Sequence, residues 1–273
     1  MNAHASAARA EPTKTVHIGE HLRDWRQRRH LSQLDLAVDA EISARHLSFV
    51  ETGRSAPSRE MVLKLAERLD VPLRERNVLL VAAGFAPAFP QRPLDDPALK
   101  SAREAINLVL KAHEPNPALA YDRHWNLVSA NRMVGPLLEG VPQRLLGQPL
   151  NILRLAFHPE GLAPRTVNLA EWCAHLLERL HRQCEATADP ELLKLYQDLK
   201  SHPIPARSGP VPADSVAIPF KLRHQGEVLS FISTTMVFGT PVDITLSELA
   251  LETFFAADEL TAVRMRNIAS HID

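Results

Sequence analysis

Apolar residues recur at helical spacing through the first third of the chain and predict five short helices. The first helix is expected over residues 16–29, and its apolar face consists of Ile18, Leu22 and Trp25. Serines that can cap a helix N terminus precede the next three periodic segments, namely Ser32, Ser43 and Ser58. The fifth helix is expected over residues 72–83. This pattern predicts a compact all-α domain.

The second and third of these helices are joined by a three-residue turn, which is typical of a helix-turn-helix. The second helix starts at Gln33, the turn is residues 40–42, and the third helix spans residues 44–51. Leu47 and Val50 of the third helix point inward. A helix that enters a DNA major groove about 12 Å wide needs small or polar residues on its outer face. The outer positions here meet that requirement.

Candidate DNA-contacting residues lie on the third helix and at the starts of its neighbours. We expect Arg45 and Ser48 to face the bases. We expect Gln33, Arg54 and Arg59 to contact phosphates. Phe49 could contact a thymine methyl group or a sugar, or simply pack on a neighbour. His46 could flank the core instead of facing DNA. The full set of candidates is Gln33, Ser43, Ala44, Arg45, His46, Ser48, Phe49, Arg54 and Arg59.

A proline-rich segment divides the chain into two parts of different composition. Residues 85–97 contain four prolines, which exclude a helix or a central strand there. We expect a disordered arm at 1–13, a helix-turn-helix domain at 14–84, a linker at 85–97 and a second domain at 98–273.

The net charge is −1, but it is the sum of two unequal parts. Residues 1–90 hold 13 basic and 11 acidic residues, and the remainder holds 18 and 21. The balance excludes a protein that coats nucleic acid by bulk charge and leaves room for a local DNA-binding surface.

Strand-like segments distinguish the second domain from the first. Strands are expected at residues 118–121, 125–130, 216–224 and 227–238, and residues 246–255 are ambiguous between strand and helix. Gln225-Gly226 marks a hairpin turn between two of these strands. Helices are expected from Asp96 to His113, over 131–138, over 168–186 with Asn168 as the cap, over 190–201 and from Asp258 to Ile268. This order predicts an α+β domain with a five-stranded antiparallel sheet and helices on one face.

Several segments carry a resemblance to a known family. The segment LSQLDLAVDAEISARHLSFVETGRSAPS resembles the lambda-repressor/XRE family of helix-turn-helix regulators. SARHLSFVETGR followed by ERNVLLVAAGFAP is similar to its MmyB-like subgroup. YDRHWNLVSAN, NILRLAFHPEGL and FGTPVDITLSELALETFFAAD resemble the ligand-binding domain of that subgroup more loosely. The chain departs from the family at Glu41, where the turn usually has glycine, and at Ala44, where many repressors place a base-reading glutamine.

The resemblance implies a sequence-specific transcriptional regulator with a PAS-like second domain, whose effector is a fatty-acyl-like molecule held between sheet and helices. Apolar residues of the second domain could line such a pocket, although membership of the core is the simpler explanation for each of them. His158 could meet a carboxylate. The candidate ligand residues are Leu137, Leu153, Phe157, His158, Leu176 and Phe231.

The remaining expectations concern partners and alternatives. We expect a cytoplasmic, nucleoid-associated homodimer that binds double-stranded DNA with half-sites about 34 Å apart, with no membrane span, metal, cofactor or catalytic activity. His17, Glu20 and His21 fit an H-x-x-E-H zinc pattern, but they lie on an amphipathic helix. The alternative is a PAS-like carrier or enzyme that uses the helix-turn-helix to contact proteins. The small polar residues of the third helix favour DNA.

Overall fold

The computed structural model describes residues 17–204 and 217–272, and it separates into two compact units between Ala88 and Phe89. This division falls within the proline-rich segment. The arm expected at residues 1–13 lies outside the described residues. The exact domain limits expected from the sequence, 14–84 and 98–273, remain a proposal.

From residue 17 onward, the first unit consists of five helices, as predicted. They are α1 (Ile18–Arg28), α2 (Gln33–Asp39), α3 (Ala44–Glu51), α4 (Arg59–Arg68) and α5 (Leu73–Ala82). The three predicted serine caps are confirmed, because each serine side chain accepts a hydrogen bond from a backbone N–H in the first turn of its helix. Ser32 and Asp35 form a reciprocal capping box at the start of α2.

Two backbone features fix how α1, α2 and α3 meet. A Cβ atom added to Gly19 in α1 would lie 2.4 Å from the carbonyl oxygen of Val50 in α3, so glycine allows the two helices to approach closely. Glu41, in the turn between α2 and α3, has φ of 53°. This confirms the left-handed turn position at which glycine is less strained.

The second unit is an α+β domain built on one sheet. Its strands are β1 (Ala118–Tyr121), β2 (Leu127–Ala130), β3 (Phe220–His224), β4 (Glu227–Val237) and β5 (Ala250–Ala256). Its α-helices are α6 (Lys100–Ala112), α7 (Val134–Leu137), α8 (Ile152–Phe157), α9 (Leu169–Thr187), α10 (Pro190–Lys200), α11 (Ile244–Ser247) and α12 (Glu259–Ser270). The strand order is β2-β1-β5-β4-β3, and every pair is antiparallel. The predicted five-stranded antiparallel sheet is confirmed.

Helices cover both faces of the sheet, and the expectation of a single covered face was wrong. Side chains alternate across a strand, so Leu119 and Tyr121 of β1 face the main core. Ala118 and Ala120 face the other way and pack with Ile106 of α6. The apolar stripe of α6 therefore needs its own partner on the second face.

One further expectation is corrected by long-range contacts. Asn168 does not cap α9; its side chain pairs with the backbone of Pro219 and Lys221, so it joins the helix start to β3. The ambiguous segment 246–255 divides between the short helix α11 and strand β5. The hairpin prediction is confirmed, since Gln225 and Gly226 both have positive φ, as a type I′ turn requires.

The second half of the proline-rich segment is attached to the second unit. The carbonyl oxygen of Pro90 accepts a hydrogen bond from the N–H of Ile244 at 2.9 Å. Arg92 forms an ion pair with the buried carboxylate of Asp243 at 3.0 Å. These bonds tie the start of α11 to the proline-rich segment.

Candidate nucleic-acid interface and ligand cavity

Helix α3 presents its small and polar residues away from the core of the first unit. Leu47 and Val50 are completely buried, whereas Arg45 is exposed and Ser48 is half-buried. The side chain of Ser43 caps the helix by accepting from the N–H of His46 at 3.1 Å. The outer face therefore carries one exposed cation and short side chains, which is what close approach to base edges requires.

The ring of Phe49 contacts two exposed arginines, Arg45 within α3 and Arg54 shortly after it. The guanidinium carbon of Arg45 is 5.3 Å from the centre of the phenyl ring, and that of Arg54 is 6.0 Å from it. Both distances fit cation–π contacts. The N–H of Arg54 also donates to the carbonyl oxygen of Phe49 at 2.8 Å, which holds the residues after α3 against the helix.

The other two predicted phosphate contacts, Arg59 and Gln33, are each the first residue of a helix. Arg59 is exposed at the first residue of α4. Gln33 begins α2, but its side-chain amide donates to the carboxylate of Glu51 at 2.7 Å, so one of its two amide hydrogens is already used. Its side chain therefore fixes α2 against α3.

A buried ion pair underlies the outer face of α3. The Nε and Nη2 atoms of Arg26 in α1 donate to the two carboxylate oxygens of Glu51 at 2.7 and 2.9 Å. The side chain of Glu51 is completely buried and that of Arg26 is 10% exposed. A bidentate pair in this setting fixes the orientation of α3 relative to α1 and α2.

This pair has a defined dependence on pH. Burial alone would raise the pKa of the Glu51 carboxyl, but hydrogen bonds from Arg26 and Gln33 and nearby positive charge outweigh it and hold the pKa below its ordinary value of 4.5. A carboxyl whose pKa is lowered by folding stabilises the folded state above its ordinary pKa. That contribution is lost as the pH falls below 4.5 and through the lower folded-state value.

Sequence reasoning missed the Arg26–Glu51 pair, although a signal was present. Glu51 lies on the same helical face as Leu47, and Arg26 follows Trp25 on the inward side of α1. Two opposite charges on two apolar faces that pack together predict a buried pair.

An apolar cavity lies in the second unit between the sheet and the segment that contains α7 and α8. Its free volume is about 80 Å³, and every residue that lines it is apolar. The lining includes Leu119, Leu137, Leu138, Phe220, Phe231 and Phe254. Ligand pockets usually measure roughly 300–1,000 Å³, so this space is too small for a fatty acid.

The cavity includes two of the six ligand candidates, Leu137 and Phe231. Leu153, Phe157 and Leu176 are buried in the main core outside the cavity lining. His158 also lies outside the lining, and its Nδ1 atom accepts a hydrogen bond from the N–H of Glu160 at 3.0 Å.

A second buried ion pair adjoins the cavity wall. Arg179 of α9 binds both carboxylate oxygens of Glu252 at 2.9 and 2.8 Å, and Glu252 is the cross-strand neighbour of the cavity residue Leu119. Arg179 also donates to the hydroxyl groups of Tyr121 and Thr235. These bonds are all made within the protein and hold the guanidinium of Arg179 against β1, β4 and β5.

Comparisons with known proteins agree with this division into two units. The family model described as the MmyB-like transcription regulator ligand binding domain matches residues 102–268, and a helix-turn-helix model matches residues 22–76. No curated protein matches the chain. A solved structure, the clp gene regulator ClgR from Corynebacterium glutamicum, is 24% identical over 39% of this chain and 99% of that chain, with a TM-score of 0.23. In the described part of the chain, no helix is long and apolar enough to cross a membrane.

Proposed function

Because the chain belongs to the MmyB-like transcription regulators, we propose that α3 reads a specific operator and that an apolar ligand of the second unit changes operator affinity. The observation that carries the proposal is the outer face of α3, where Arg45 and Ser48 stand over a completely buried apolar face. The protein would act in the cytoplasm, in association with the nucleoid.

The proposed contacts divide between bases and backbone. Arg45 and Ser48 read base edges, and Phe49 orients Arg45 and Arg54 through its ring. Contacts to the sugar-phosphate backbone of DNA position α3 in the groove without reading the base sequence. They come from Arg54, Arg59, Gln33, Ser43, Ala44 and His46.

We further propose that two copies bind a two-fold related operator. One short recognition helix makes only a few base contacts, and residues 1–90, with 13 basic and 11 acidic residues, carry little excess positive charge for non-specific binding. A homodimer doubles the number of base contacts and of phosphate contacts. It also sets the two half-sites about 34 Å apart, or a multiple of that distance.

Removing the Arg45 side chain is expected to weaken binding to the selected operator by about 1–3 kcal/mol and to leave binding to a scrambled duplex almost unchanged. The operator is first selected from a random duplex pool with the unmodified protein, and affinities are measured by fluorescence anisotropy. Arg54→Ala is the matched control, because loss of a phosphate contact weakens both duplexes alike. An equal loss on both duplexes for Arg45→Ala would contradict the assignment of Arg45 to base reading.

The proposed effector is fatty-acid-like and enters the apolar cavity. A free volume of about 80 Å³ does not hold such a chain, so the wall that contains α7 and α8 has to move. Such a movement gives the unit two states, and a ligand that binds one of them better shifts the balance between them. A shift of this kind is the physical basis on which operator affinity can respond to the ligand.

Decanoic acid is expected to bind the full chain saturably. It should also slow hydrogen exchange in residues 134–162, which contain α7 and α8 and form the cavity wall that has to move. Leu138→Trp fills the cavity and should abolish this protection. Leu193→Trp is the control, because Leu193 is 47% exposed on α10 and lies outside the cavity lining. If Leu138→Trp leaves the protection intact, the acyl chain binds elsewhere.

A further inference from the structure

A second cavity in the ligand-binding unit differs in character from the apolar one and shares no lining residue with it. It has a volume of about 470 Å³ and lies between the β3–β4 hairpin, α12 and the end of α7. This volume is within the range of small-molecule sites. Leu229 and Ile268 give it an apolar part, whereas His224, Asn267, His271 and Glu139 give it polar groups.

His224, at the end of β3, is the unusual member of this lining. The residue is only 7% exposed, and its Nε2 atom is buried without a hydrogen-bond partner in residues 17–204 and 217–272. Leaving a buried polar atom unpaired costs free energy, so native proteins rarely do so without a reason.

The neighbours of His224 define which hydrogen-bonding group is unpaired. The Nδ1 atom faces Nη2 of Arg165 at 3.5 Å, and a guanidinium can only donate, so Nδ1 acts as the acceptor. Arg165 is held in place by the carbonyl oxygens of Leu137, Glu139 and Arg223. Burial, together with the charge of Arg165, lowers the pKa of His224 despite the opposing charge of Glu139, so the ring is neutral at neutral pH. The neutral ring then carries its hydrogen on Nε2 and lacks an acceptor for it.

The charges around the cavity are balanced. Glu227 and Arg264 form an ion pair with each other at the rim, and the charge of Glu139 is opposed by that of Arg165 behind the ring. His271, which also lines the cavity, is exposed to solvent. This environment gives neither an anion nor a cation a net electrostatic advantage.

We propose that this cavity binds a small uncharged carbonyl compound, of the amide, ester or lactone class, whose oxygen accepts a hydrogen bond from Nε2 of His224. Leu229 and Ile268 contact its apolar part. The site is separate from the acyl cavity and does not depend on acyl binding there.

Three probes of equal chain length and different charge test the proposal: butanamide, butanoate and butylamine. They are titrated into the full chain labelled with ¹⁵N-histidine, and the imidazole nitrogen resonances are followed. Butanamide is expected to shift the Nε2 resonance of His224 saturably and to bind about tenfold more tightly than either charged probe.

The variant His224→Phe identifies the His224 resonance by its loss, and it should abolish any saturable response of the other resonances to butanamide. The variant His181→Phe, on an exposed part of α9, should leave the butanamide response unchanged. If His224→Phe does not fold, the comparison of the three probes on the unmodified chain still decides. Equal binding of the three probes, or no saturable shift of His224, would overturn the proposal and leave Nε2 as a buried group solvated by water alone.

Discussion

Replacing Arg26 by methionine is expected to destabilise the helix-turn-helix unit by about 3–5 kcal/mol, because it leaves the carboxylate of Glu51 completely buried without its bidentate partner. Gln33 and the more distant Arg23 cannot replace two short charge-assisted hydrogen bonds. The same change frees α3 from α1, so specific DNA binding should fall with stability.

Hydrogen exchange measured by mass spectrometry on the full chain reports the opening free energy of residues 18–51 separately from the second unit. Glu67→Gln, an exposed charge change on α4, is the control and should cost less than about 0.5 kcal/mol. The double variant Arg26→Met/Glu51→Leu should recover much of the loss, because it removes both buried charges. If Arg26→Met costs no more than the control, the pair does not hold α3 in place.

Replacing Arg179 by methionine is expected to cost the ligand-binding unit about 3–5 kcal/mol for the same reason. The side chain of Glu252 is only 5% exposed and would lose two hydrogen bonds from the guanidinium. The hydroxyl of Tyr121 cannot take over this role. Burial, and then the charge of Glu252, raise its pKa, and the neutral hydroxyl offers a single hydrogen bond and no positive charge.

Hydrogen exchange in β1 and β5 measures this effect, because Tyr121 and Glu252 belong to those strands. Arg182→Met provides the matched control on the same helix, where the arginine is 64% exposed and pairs with Glu178. Surface ion pairs of that kind contribute at most about 1 kcal/mol. Similar costs for the two variants would show that the buried pair is no more important than an exposed one.

Features set by neighbouring residues could be predicted from the sequence. Ser32, Ser43 and Ser58 cap their helices within one turn, and Gln225-Gly226 forms its hairpin within two residues. The five-stranded antiparallel sheet also followed from the succession of strand-like and helical segments along the chain.

Features set by distant residues could not be predicted in the same way. Asn168 has the residue type and position of a helix cap, yet it bonds to the backbone of Pro219 and Lys221, about fifty residues further along the chain. The ligand candidates illustrate the same limit. Leu153 and Leu137 have the same side chain and similar burial, but only Leu137 lines the apolar cavity, and periodicity cannot distinguish core from cavity wall.

The central claim is that this chain recognises a DNA sequence through α3, and the ratio of its affinities for two duplexes tests that claim most directly. One duplex is selected from a random pool, and the other has the same composition in scrambled order. We expect the selected duplex to bind at least about 10³-fold more tightly at physiological salt, as specific regulators do. Equal affinity for the two duplexes, or failure of the pool to converge on any sequence, would contradict the account.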